Sequence, residues 1–169
     1  MKTAGVILAI MASVVLQTTI GRFVARGTVA VDLVLVVVVF VALTSGPVTG
    51  LLAGTAAGLA QDALSSGVLG IGSLAKTLVG FLTGIIGTQF IVSQPFSRFI
   101  VFVAATVLHS MVFIGLYVML DLRQFGTPYA AVAGQAVGNA VVGVVAFQLS
   151  EFLPGVVERR RSQRARIRW

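Results

Sequence analysis

Between Gly5 and Ser150 the chain carries only eight charged side chains: Arg22, Arg26, Asp32, Asp62, Lys76, Arg98, Asp121 and Arg123. A water-soluble domain must cover its surface with polar groups and devotes about a quarter of its residues to charge. Here 10% of the 169 residues are charged and 57% are hydrophobic. That composition excludes a soluble globular protein, and it excludes disorder too, because disordered chains are polar. A mean hydropathy of +1.04 points to a small all-α integral membrane protein, since in lipid a helix satisfies its own backbone hydrogen bonds.

The net charge of +7 belongs to the end of the chain, where Arg159, Arg160, Arg161, Arg164, Arg166 and Arg168 supply six of the twelve basic residues. The expected organisation is a six-helix transmembrane domain over residues 1–157 and a basic cytoplasmic tail over 158–169. With no cysteine there is no disulfide, thiolate metal site or lipidated thiol. A single histidine among scattered carboxylates argues against a metal centre, and no cofactor is implied.

The uncharged segment from Ala4 to Ile20, preceded by Lys2, resembles the start of a signal peptide, but no small-residue cleavage site follows it. It is expected to be retained as the first helix. Val29 to Leu43 is valine-rich and reads locally as a strand. An open strand edge is untenable in lipid, so a helix of about 15 residues and about 22 Å is expected. Gly46-Pro47 should break it, and Val48 to Leu64 should form a Gly-rich helix; two short spans are favoured over one re-entrant hairpin. Further helices are expected from Ile71 to Val92, Phe99 to Leu120 and Ala130 to Leu153, with breaks at Gln94-Pro95 and Pro154-Gly155. With six spans both ends share one side, which receives Lys2, Arg98 and the six tail arginines, against Arg22, Arg26 and Arg123 on the other. The positive-inside rule then places both termini in the cytoplasm.

Gly50, Gly54 and Gly58 repeat every four residues and share one helix stripe, as do Gly80 with Gly84 and Gly134 with Gly138. Stripes without Cβ atoms let helices approach closely where lipid supplies no hydrophobic drive. Packing within the monomer is the favoured reading; a partner interface, a homodimer within a larger complex or a ligand groove are the others. Asp62 and Lys76 lie on either side of one turn and are expected to act as structural charges, paired or near the same membrane interface. Transport chemistry would call for more acidic groups at mid-depth. His109 has no second His and no acid near it in sequence, which suits a hydrogen-bonded packing residue rather than a proton relay. Gln135 and Asn139, four apart, share a helix face suited to interhelical hydrogen bonds. The tail ERRRSQRARIRW should bind anionic lipid or an acidic partner; nucleic acid is a poor fit for a tail tethered to a membrane. No nucleophile–base pair, phosphate loop or paired carboxylates stand out, so no enzyme is expected.

The stretch VDLVLVVVVFVALTSGPVTGLLAGTAAGLAQDALSSGVLGIGSLAKTLVGFLTG resembles the rod-shape-determining membrane protein family MreD. The resemblance rests on Asp32 opening a Leu/Val-rich helix and on the repeats Gly46, Gly50, Gly54 and Gly58. Gly58-Leu59 with Asp62, then Leu69-Gly70 and Lys76-Thr77-Leu78-Val79-Gly80, complete it. Val31 departs from the family, which commonly has Pro there, and this weakens only the helix-start signal. The resemblance implies a non-enzymatic scaffold of the bacterial elongation machinery. Such a scaffold sits in the inner membrane with the bitopic protein MreC, and with RodA, its transpeptidase partner and MreB, which build lateral peptidoglycan. It also implies a fold similar to the substrate-binding subunits of energy-coupling-factor transporters, and hence an alternative: a vitamin-like small-molecule binding subunit. A ligand pocket needs converging polar and aromatic groups, and with 8% aromatics the chain favours the scaffold.

Overall fold

The computed structural model describes residues 3–24, 31–65, 68–90, 92, 94–122 and 129–166; of residues 3, 20–24 and 153–166 it describes the backbone alone. These residues form six helices: α1 (Thr3–Val24), α2 (Leu33–Ser45), α3 (Pro47–Leu64), α4 (Ile71–Gln89), α5 (Pro95–Met119) and α6 (Tyr129–Arg166). Three stretches, Ile71–Gln89, Pro95–Met119 and Tyr129–Phe152, are long and apolar enough to cross a membrane, and Ala4–Thr19 and Leu33–Ser45 are shorter apolar helices.

The valine run is the axis of the molecule. Val34, Val38, Val39, Val41 and Ala42 of α2 are completely buried, and α2 packs against each of the other five helices. β-Branched residues are only slightly poor helix formers, and the burial of Val34, Val38, Val39 and Val41 outweighs that penalty. Asp32 starts α2 as its N-cap, its Oδ1 accepting the Leu35 N–H at 2.9 Å. The helix stops at Gly46, whose φ of +88° a side chain would strain, and Pro47 at once opens α3.

Around α2 the neighbours touch in the order α1, α3, α4, α5, α6, and among the described residues α6 and α1 make no contact that would close the ring. The core accordingly has two halves. Val6, Ile10 and Val14 of α1 meet Val34, Val38 and Val41 of α2 and Ala53 and Ala57 of α3. On the other flank, Leu35, Val36 and Val39 meet Val79 of α4, Phe102 and Ala105 of α5, and Ala140 and Phe147 of α6.

Several boundaries differ from those read in the sequence. The valine helix begins at Leu33 rather than Val29, because Asp32 claims the cap. Helix α5 begins at Pro95 rather than Phe99: a proline at the first helical position gives up an N–H that would be unpaired anyway, so it starts the helix. Helix α4 ends earlier, at Gln89 rather than Val92. Helix α6 runs through Pro154-Gly155 to Arg166. One interior proline costs about 3 kcal/mol, and the arginines after it are good helix formers.

Candidate functional site

Helices α3 and α4 meet backbone to backbone along the glycine stripe. A Cβ on Gly50 would fall on the carbonyl oxygen of Gly80, and one on Gly80 would fall on that of Gly50. At Gly54 it would strike the Lys76 carbonyl group and lie 2.9 Å from Thr77 Cα. At Gly58 it would meet Ser73, and at Gly84 it would lie 2.6 Å from Pro47 N. Thr55 and Thr77 hydroxyls join across the seam at 2.8 Å, and the Ser73 hydroxyl donates to the Thr55 carbonyl at 3.1 Å. The stripe is thus filled by the chain's own fourth helix.

Asp62 and Lys76 were expected to be paired or near the same membrane interface, and in the structure each has other partners. Asp62 Oδ2 accepts the N–H groups of Gly70 and Ser73, at 2.9 and 3.1 Å. It sits over the start of α4, where the N–H groups without helical partners are satisfied by a carboxylate. Lys76 turns instead into the bundle. Its Nζ lies 3.0 Å from Asp32 Oδ2, and both side chains are almost sealed, at 4% and 7% exposed. An ion pair in apolar surroundings needs further hydrogen bonds to hold its charges, and the bundle supplies them. Lys76 Nζ is also 3.2 Å from His109 Nε2 on α5. The backbone N–H of Asp32 donates to Asn139 Oδ1 on α6 at 2.8 Å, and Asn139 Nδ2 donates to the Thr106 hydroxyl on α5 at 3.1 Å. Gln17 on α1 closes the other side: Leu33 N–H donates to its Oε1 at 2.9 Å, and its Nε2 donates to the Val31 carbonyl at 3.0 Å.

Four helices therefore converge on the start of α2, and the glycine seam presses α3 against the very turn of α4 that carries Lys76. His109 Nδ1 is buried without a hydrogen-bond partner among the described residues, and its ring stacks on Phe113 at 5.8 Å. The neighbouring ammonium disfavours a metal ion here, and among the described residues no three His, Asp or Glu side chains gather to hold one. What the arrangement does chemically is fix helices to one another through charges that have no water to retreat to.

A second ion pair lies at the opposite end of the bundle. Arg98, in the first turn of α5, is paired with Glu151 of α6. Its guanidinium also donates to the Val92 carbonyl at 3.2 Å and rests 4.5 Å over the ring of Phe147. Glu151 carried no signal in the sequence, being 53 residues from its partner. Of the tail, the side chains of Arg159, Arg160, Arg161, Arg164 and Arg166, and all of Arg168, lie outside the described residues.

Residues 1–152 match the family model described as rod shape-determining protein MreD. No curated protein and no solved structure matches the chain.

Proposed function

The chain belongs to the MreD family of rod shape-determining proteins, and from that premise we propose that it is a scaffold that binds the transmembrane helix of an MreC-like partner. The family is one of shape-determining membrane proteins rather than a known family of enzymes, and with three long apolar helices it points to the inner membrane and the rod-shape complex. In the proposed arrangement six spans put both termini in the cytoplasm. RodA, its transpeptidase partner and MreB stand further along the same complex, and the arginine tail meets anionic lipid.

The observation that carries the reading is the open side of the ring. Between α1 and α6, which do not touch among the described residues, α2 shows a half-buried stripe of Leu33, Val37 and Phe40. Val37 packs with the α1–α3 half of the core and Phe40 with the α5–α6 half, so the stripe lies between them. One apolar helix laid there would enclose α2 on its last side. The glycine stripe, already filled by α4, leaves that role to the slot. The chain has no cysteine, so single cysteines report cleanly. Val37→Cys and Phe40→Cys should crosslink to a cysteine placed in the partner's span, while Leu52→Cys and Leu74→Cys on exposed faces of α3 and α4 should not. Crosslinks at Leu52 or Leu74 with none on α2 would refute the slot. Normal rods after depletion, with no partner co-purifying, would refute the scaffold.

A further inference from the structure

At the end of the bundle where α4 stops and α5 starts, an open cleft of about 360 Å³ is walled by Leu43, Val92 and Phe147 and rimmed by Thr88 and Gln89. Arg98 also lines it. This arginine is 6% exposed, yet it stands at the mouth of an open cavity. Three things hold its charge: a backbone carbonyl, an aromatic face and Glu151. Only the last is an anion, and its side chain is 57% exposed.

A buried guanidinium must keep an anionic partner, and its planar fork suits carboxylate and phosphate alike. A carboxylate that stands mostly in solvent binds weakly, because water and salt compete for it. The position beside Arg98 can therefore change hands without leaving a charge unpaired. The apolar wall next to that position suits an anion with a hydrocarbon body. The sequence after Glu151 carries six arginines, and basic segments beside a membrane attract anionic lipid at about 1 kcal/mol per basic residue.

We propose that the Arg98 cleft binds the phosphate of an anionic lipid, with its chains along Leu43, Val92 and Phe147, and that Glu151 is the internal anion the lipid displaces. The phosphate could also come from a soluble compound, and the test separates the two sources. The full-length protein in mild detergent is titrated with dioleoylphosphatidylglycerol, dioleoylphosphatidylcholine or inorganic phosphate, and bound lipid is counted by native mass spectrometry. Salt at about 0.5 M screens charges that stand in solvent and leaves a buried arginine largely unaffected. Phosphatidylglycerol should bind more tightly than phosphatidylcholine. Glu151→Gln, which removes the competitor, should tighten it about fivefold, and Arg98→Gln should weaken it about tenfold, the effect of one charge-assisted hydrogen bond. Should Arg98→Gln fail to fold, Glu151→Gln decides, since it alters an exposed side chain. Unchanged or weaker binding in Glu151→Gln overturns the proposal, as does equal binding of the two lipids. Displacement of phosphatidylglycerol by inorganic phosphate at about 10 mM, a concentration far above a specific site's usual need, overturns the lipid assignment in favour of a soluble phosphate.

Discussion

Among the described residues there are two ion pairs, and they differ in what surrounds the carboxylate. Asp32 and Lys76 are 7% and 4% exposed, whereas Glu151 is 57% exposed beside an Arg98 that is 7% exposed. In the first pair, neither charge has an alternative partner in solvent, so each is held by the other and by His109, the Leu35 N–H and the cap of α2. In the second, the carboxylate stands mostly in solvent, so another anion can take its place beside Arg98. A carboxylate and a cation thus make a lock in one place and an exchangeable contact in the other, and burial of the carboxylate decides which.

The largest effect should come from the seam that holds the lock in register. Gly54→Leu puts a side chain where the Lys76 carbonyl and Thr77 Cα already stand. Overpacking a core costs about 1–3 kcal/mol when side chains can yield, and here the obstacle is backbone. Loss of monodisperse protein on size exclusion is the expected outcome. A variant that purified normally and still supported rod shape would mean that α3 and α4 do not pack as described.

Next in size is the lock itself. Lys76→Met alone leaves Asp32 charged and buried, which should cost about 3–5 kcal/mol. Asp32→Asn together with Lys76→Met removes both charges and should recover much of that loss. Thermal unfolding in detergent gives the double-mutant cycle. Additive effects would show that the two residues act separately, and the contrast between the two pairs would collapse. Asn139→Ala should cost less, about 1–3 kcal/mol, by stripping the Asp32 N–H of its acceptor in an otherwise dry site. A silent Asn139→Ala in the same assay would mean that water reaches the cluster.

Some of this was legible in the sequence. Glycines four apart must share a helix face whatever the topology, so Gly50, Gly54 and Gly58 announced a close contact before its partner was known. Asp32 as the opening of the valine helix came through the family resemblance, whereas the residues alone suggested a start at Val29. The lock was not legible: Asp32 and Lys76 are brought together by the way α4 packs beside α2, and nothing in a window around either residue encodes that. His109 looked solitary because its acid and its cation lie on other helices. Asp62 drew attention as the nearer carboxylate, but sequence nearness favoured a pairing that the start of α4 had already claimed. Pro95 misled in the opposite way, since a residue that ends helices from inside also starts them.

The smallest effect is the one that tests the contrast most directly. Glu151→Gln removes a full charge from the Arg98 pair yet keeps the shape of the side chain and its capacity to accept a hydrogen bond. If exposure is what separates the two pairs, unfolding of Glu151→Gln in detergent containing phosphatidylglycerol should coincide with that of the unaltered protein, because the lipid phosphate takes the place of the exposed carboxylate beside Arg98. The neutralising change on the sealed side, Asp32→Asn, should shift the unfolding midpoint clearly under identical conditions, since Lys76 there has no exposed partner to turn to. Raising the salt concentration should leave both results unchanged for Asp32, whose surroundings exclude ions, and should erase any residual effect at Glu151. A Glu151→Gln variant as unstable as Asp32→Asn would show that the Arg98 end is locked as firmly as the other, with Glu151 held in place by more than its visible contact with Arg98.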